Sequence, residues 1–202
     1  MKKYFIVIFV LIIWNVNAQN YKETFDTNVL GWTEISDGHG EAVIKDGVMH
    51  IEGQNSWGTD EWGFKQPIRI ESHCYTSLDV TKNFEINLDV TVERLKEGHV
   101  GIILDYYDGG NFLAFIFNGS MAYILRFREG RLIGSIPNRI KLQDKRMETY
   151  NISIKSSYQR LQFYINNMLA VEGRYLPLTS NGFGFFVWGS LSMDFDNVEF
   201  IQ

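Results

Sequence analysis

Apolar and polar residues alternate along much of this chain with the period of a β-strand. Phe84, Ile86, Leu88, Val90 and Val92 are interleaved with Glu85, Asn87, Asp89, Thr91 and Glu93. Successive strand side chains point to opposite faces, so this pattern predicts a strand with one dry and one wet face. Tyr150, Ile152 and Ile154 alternate in the same way with Asn151, Ser153 and Lys155, as do Leu161, Phe163 and Ile165 with Gln162, Tyr164 and Asn166. Two runs, Phe112–Phe117 and Phe183–Trp188, are apolar at nearly every position. Such strands are buried on both faces or line a groove with the second. Near the end, Met193 and Phe195 keep period two, and so do Val198 and Phe200, but three residues separate Phe195 from Val198. One extra residue at Asp196-Asn197 would return all four to one face, which predicts a β-bulge there.

Turn chemistry punctuates the runs. Asp46-Gly47, Glu129-Gly130 and Asn166-Asn167 each separate two strand-like segments. Gly and Asn tolerate the positive φ of two-residue hairpin turns, so three hairpins are predicted. Asp108-Gly109-Gly110-Asn111 reads as a longer turn of the same kind, and the charged stretch Ile140–Tyr150 as a loop or a single helical turn. About a dozen strands at this spacing, without a linker or repeat, predict one all-β domain, an antiparallel two-sheet β-sandwich.

Four segments in this order resemble a known superfamily. They are Glu23-Thr24-Phe25-Asp26 with Gly31-Trp32; Asp46 to Gly53; Phe84 through Gly98-His99-Val100-Gly101-Ile102 to Asn111-Phe112; and Phe163 to Asn167 with Gly182 to Phe185 and Phe195 to Val198. Together they resemble the concanavalin A-like lectin/glucanase jelly roll, in the branch with laminin-G-like and bacterial 3-keto-disaccharide hydrolase-like domains. The resemblance implies two stacked antiparallel sheets, one of them a concave sheet that commonly receives glycans. It implies no reaction, because one fold hosts many functions.

Composition narrows the picture. Aromatic residues make up 15% of the chain, which suits β structure. The formal charge of −5 argues against a nucleic-acid surface. A single cysteine, Cys74, excludes an internal disulfide and any multi-cysteine metal site, and is expected to be a buried small hydrophobe. Lys2 and Lys3 precede an apolar run from Tyr4 to Trp14 and a Val16-Asn17-Ala18 site. That is the layout of a secretory signal peptide over residues 1–18, and the run is too short to span a bilayer, which takes about 20 residues. Residues 19–202 would then form the mature domain, periplasmic or extracellular, without membrane insertion, and with a formal charge of −7 once two lysines are lost.

Candidate chemistry is sparse. Glu85-Ile86-Asn87-Leu88-Asp89 is similar to the Glu-x-Asp-x-Glu motif of family-16 glycoside hydrolases, with Glu85 and Asp89 as weak catalytic candidates. Asn87 replaces the middle acid, and Asp89 is shorter than the expected Glu. The wet face of an amphipathic strand accounts for both acids as well. His39, His50, His73 and His99 show no paired metal-ligand spacing and read as satisfied or surface histidines. There is no Gly-x-Ser-x-Gly and no phosphate-binding loop. Asp26, ending the first strand, and Asp196, in the last, could supply oxygen ligands to a structural calcium. The turn segment Asp105–Asn111 is a lesser candidate of the same kind.

Sugar binding uses aromatic platforms beside polar groups. The segment around Trp57, Asp60, Glu61 and Trp62 has that composition. Trp188, Tyr107 and its neighbour Tyr106 could line the second face of the concave sheet, with Arg126 and Arg128 as donors. The expected function is an exported non-catalytic carbohydrate-binding or surface-interaction module, partnered by a glycan or a cell-surface component. The alternatives are a glycoside or 3-keto-glycoside hydrolase and a structural protein-partner module.

Overall fold

The computed structural model describes residues 20–54, 57–59, 65–93, 95, 98–142, 147–157, 160–174 and 177–202. The predicted leader, residues 1–18, lies outside them. Seventeen strands are described. In chain order they are β1 Tyr21–Glu23, β2 Ile35–Asp37, β3 Gly40–Lys45, β4 Val48–Gly53, β5 Trp57–Thr59, β6 Lys65–Pro67, β7 Arg69–Tyr75, β8 Phe84–Glu93 and β9 Gly98–Asp108. They continue with β10 Asn111–Phe117, β11 Met121–Arg128, β12 Arg131–Arg139, β13 Glu148–Ser157, β14 Arg160–Ile165, β15 Met168–Arg174, β16 Gly182–Gly189 and β17 Leu191–Ile201. Among the described residues there is no α-helix. The strand count exceeds the predicted dozen because β1, β2, β5 and β6 have three residues each, too few to display a period. Glu148–Tyr150, expected in a loop or helical turn, open β13 instead.

All pairings are antiparallel, and the strands form two large sheets and a short ribbon. One sheet runs β15-β14-β13-β8-β17-β4-β3-β2, with β1 also on β17. The other runs β12-β11-β10-β9-β16-β7, and β5 pairs only with β6. This is the predicted jelly-roll sandwich. On β8 the five apolar side chains are buried and the five polar ones half-buried, in strict alternation. The inward rows of both sheets form the main core. Its centre is a stack of three rings, with Phe185 of β16 5.1 Å from Trp32 and 3.9 Å from Phe195 of β17. Buried Glu23 fixes the loop that carries Trp32, accepting from Phe25 N at 3.0 Å and from Trp32 Nε1 at 3.3 Å. Cys74 is buried as expected, and burial pushes its thiol pKa up.

The turns follow their residues. Asp46-Gly47, Glu129-Gly130 and Asn166-Asn167 all have positive φ at both positions, as primed hairpin turns require. The Asp108–Asn111 turn is tighter than predicted. Asp108 pairs directly with Asn111, leaving Gly109-Gly110 as a two-residue loop. Asp108 Oδ1 holds it by accepting from Gly110 N and Asn111 Nδ2, both at 2.8 Å.

The bulge in β17 lies where the alternation broke. Its register against β8 passes from Asp196–Asp89 to Glu199–Asn87, and Asn197 has φ 53°. Met193, Phe195, Val198 and Phe200 are all buried. The bulge also marks a change of neighbour. β4 pairs with Leu191–Phe195, whereas β1 pairs with Val198–Phe200, so the first and last strands lie side by side.

Candidate functional site

The six-stranded sheet is apolar on its outer face too. On β10, Leu113, Phe115 and Phe117 enter the main core, while Phe112, Ala114 and Ile116 belong to a second apolar cluster. On β16, Phe183, Phe185 and Val187 point inward and Phe186 outward, with Trp188 packed against the second cluster. Ile103 and Tyr106 of β9, Leu125 of β11 and the half-buried Tyr123 and Phe127 complete it. The outward residues Phe112, Ala114, Ile116 and Phe186 are themselves buried, so both strands take the first of the two roles, burial on both faces, and the cluster is partly open only at Tyr123, Phe127 and Trp188.

The rings on this face converge. Phe112 stacks on Phe127 at 4.6 Å, and Trp188 lies edge-on to Phe186 at 5.5 Å and to Phe127 at 6.1 Å. Between Phe127 on β11 and Trp188 on β16 stand β10 and β9. Three strand spacings amount to about 14 Å, so the two side chains lean toward each other across the face. Gly101 makes room for this, since a Cβ there would stand 2.2 Å from the Phe186 ring. Arg69 of β7 reaches over the cluster, its guanidinium carbon 4.4 Å from the Phe112 ring centroid. It donates to the Gly109 carbonyl at 2.9 Å and pairs with Glu71 at 2.5 Å.

A break in β9 opens this face into a cleft. Asp105 has φ 52°, and the register of β9 shifts there against both β10 and β16. The carboxylate is 7% exposed and well partnered. Its Oδ1 accepts from Thr179 N at 2.6 Å, Ser180 N at 2.8 Å and Thr179 Oγ1 at 3.2 Å, and its Oδ2 from Arg126 Nη1 at 2.5 Å. Beyond the bulge, Tyr106 stacks on His73 at 4.0 Å. Burial and the neighbouring Glu71 charge push the Tyr106 pKa up to about 12. Tyr107 turns outward, 70% exposed. The resulting cleft of about 570 Å³ is lined by Asp105, Tyr107, Phe112, Arg126, Phe127 and Arg128, among others.

Three predicted ligand-binding residues therefore share one region. Tyr107 and Arg126 line the cleft, and Trp188 reaches it through Phe127. Arg126 is committed to Asp105, while exposed Arg128 offers its guanidinium to solvent. Trp57 lies on β5 opposite Pro67, two residues before Arg69, which pairs with Trp188. Its hairpin is a separate ribbon that leads along the chain into β7, the edge strand of this sheet. Asp60, Glu61 and Trp62 lie outside the described residues.

The other candidates sit elsewhere. Glu85 and Asp89 point outward from the nine-stranded sheet, in the layer opposite the aromatic face. Burial pushes the Glu85 carboxyl up, but hydrogen bonds from Lys155, Asn87 and Ser153 outweigh it and hold the group below its usual range. Asp89 accepts from Asn151 Nδ2 and, at 3.1 Å, from Asn197 Nδ2. Asp26 is exposed and accepts from Thr24 Oγ1 at 2.8 Å. A Cβ on Gly47 would lie 3.8 Å from its Oδ1, so Asp26 sits beside the β3–β4 turn. Asp196 accepts from Asn197 N at 2.6 Å and Nδ2 at 3.1 Å. Both carboxylates serve local turns with these bonds. The sequence reading missed Phe112, Phe127 and Arg69 as site residues, and it offered Asp105 only as a possible calcium ligand in a turn, whereas the residue lies within β9. A signal existed for Asp105, a lone charge closing the apolar run Val100–Leu104, but none for Arg69.

No protein-family model matches the chain, and neither does any curated protein. Solved structures do. The chain is similar to the carbohydrate-binding module CBM66 from Bacillus subtilis, with TM-score 0.51, 14% identity, and 85% of this chain and 96% of that one covered. It is similar to the β-glucanase of Bacillus licheniformis, with TM-score 0.59, 10% identity, and coverage of 91% and 98%. The carbohydrate recognition domain of Emp47p gives TM-score 0.61 at 11% identity, with coverage of 91% and 94%. At such identities the likeness is one of fold, and the fold is the concanavalin A-like jelly roll.

Proposed function

We propose that this jelly roll is an exported, non-catalytic carbohydrate-binding module whose ligand lies across the outer face of the six-stranded sheet and in its adjoining cleft. The observation that carries the reading is the pair of partly open rings Phe127 and Trp188, backed by buried Phe112 and Phe186 on an outward face and beside a cleft bearing Tyr107, Arg126 and Arg128. Flat rings accept the C–H faces of pyranoses, and the neighbouring guanidinium and phenol groups take hydroxyls. Two solved relatives in fold carry carbohydrate binding or recognition in their names, which supports the ligand class. Export rests on the leader-like residues 1–18. The non-catalytic reading is supported by the distance between the acids and the rings, which occupy opposite layers, and by Glu85 being ion-paired to Lys155 at 3.1 Å. A glycoside hydrolase acid needs the opposite, a raised pKa.

The test is a glycan array on the purified protein, with Trp188→Ala and Tyr107→Ala alongside. Binding weakened at least tenfold by each variant is the expected result. Binding that both variants leave intact, or none at all beside a co-purifying protein, would replace this reading with a partner module. Turnover of a glycan that Glu85→Gln abolishes would replace it with a hydrolase.

A further inference from the structure

The outer face of the nine-stranded sheet brings together side chains far apart in sequence. Glu41 of β3 and Glu52 of β4 are direct cross-strand partners, as are His50 of β4 and Asp194 of β17. Their neighbours Ala42, Met49 and Ile51 are buried in the core, so these four point outward. Like charges held directly opposite each other destabilise a strand pair unless a cation relieves them.

The imidazole is oriented within this group. His50 Nδ1 stands 2.6 Å from Asp194 Oδ1, and a carboxylate only accepts, so Nδ1 carries the proton. Nε2 faces Glu41 Oε1 at 3.6 Å and Glu52 Oε2 at 3.8 Å, and in the neutral imidazole it is the nitrogen that keeps a lone pair for a metal. Those separations exceed a hydrogen bond. They are close to the edge of a tetrahedral coordination shell, where ligands about 2.0–2.1 Å from zinc stand roughly 3.4 Å apart. A carboxylate holding the far nitrogen of a ligating histidine is the usual outer-shell arrangement at such sites.

We propose that Glu41, His50 and Glu52 form a site for a divalent transition-metal cation, with Asp194 orienting the imidazole. Among the described residues this is the one group of three or more such ligands, and its atoms all lie within 4.8 Å of one another. Glu52 is exposed, which leaves a solvent side for a fourth, water ligand. Lys45 is the built-in competitor. Its ammonium sits 2.7 Å from Glu41 Oε1 on an exposed, flexible arm, and a bound cation displaces it.

Titrating ZnCl₂ calorimetrically into the chelator-treated protein tests the site. One ion per chain is expected. Glu52→Gln and His50→Ala should each weaken binding at least tenfold, and Asp194→Asn about 10–100-fold. Lys45→Ala should tighten it, an effect that an adventitious surface ion would not show. Circular dichroism of each metal-free variant checks that the fold is kept, and exposed Glu52 provides a variant that leaves packing alone. No zinc binding by the wild-type protein, or binding that Glu52→Gln and Lys45→Ala both leave unchanged, overturns the proposal.

Discussion

The outer faces of the two sheets are built on the same strand geometry and are chemically opposite. On the nine-stranded sheet the outward side chains pair across strands. Lys155 meets Glu85 at 3.1 Å, Thr91 meets Thr149 at 2.9 Å, and Asp89 accepts from Asn151 and Asn197. Such bonds run across the middle of that sheet, and its exposed large apolar residues, Met168 and Leu169, lie on its edge strand β15. On the six-stranded sheet, Ile103, Ala114 and Phe186 are as inaccessible as any core residue, yet they face away from the core. Their rim, Trp188, Phe127, Tyr123 and the adjoining Tyr107, remains open in part. Inward rows make the sandwich, and they look alike in both sheets. What distinguishes the sheets is their outward rows, so recognition is expected on the face whose outward row is apolar and still partly open.

This contrast is open to direct attack. The largest effect is expected in the inner layer. Phe185→Ala removes a fully buried ring stacked on two others and should cost about 3–5 kcal/mol in chemical denaturation. Trp188→Ala, at the rim of the outer face, should cost far less while removing glycan binding; equal losses would mean that the outer cluster is merely a second core. Next comes Arg126→Ala, which strips Asp105 of its charged partner and leaves the other bonds in place. A loss of about 2–3 kcal/mol is expected, accompanied by a disordered cleft that NMR of Thr179 and Ser180 would register.

The third expectation concerns pH. Burial holds His99 below its ordinary value of 6.5, and Asn118 Nδ2 donates to its Nε2 at 3.0 Å. His73 is lowered as well, by burial first. The unfolded chain therefore takes up protons before the folded one. Stability should be constant well above pH 6.5 and fall as the pH drops through that value toward the lowered ones. The slope is at most about 1.4 kcal/mol per pH unit for each proton. His99→Gln should remove one histidine's share of the slope in urea melts across pH 5–8. The smallest effect belongs to the polar face. Glu85→Gln breaks a partly exposed ion pair and should change stability by less than about 1 kcal/mol. A larger loss, or an altered glycan response, would show that the polar face does more than meet water.

Much of this was legible in the chain alone, because period-two alternation and primed-turn dipeptides are local. The inward residues of β8, the three hairpins and the β17 bulge follow from positions a few residues apart. So did the two strands that are apolar throughout, though not which of their faces would meet the opposite sheet. That choice depends on which layer they joined. The cleft arises from a bulge at Asp105 whose partners, Arg126, Thr179 and Ser180, are 21, 74 and 75 residues away. Glu85 and Asp89 looked like a catalytic spacing, and their chemistry was decided by Lys155 and Asn197 from other strands. His50 had no ligand-like spacing in sequence, yet the pairing of β17 with β4 sets Asp194 opposite it, 144 residues on. Local backbone preference and burial are written in short windows of sequence, whereas the charge and reach of a surface site depend on which strands become neighbours.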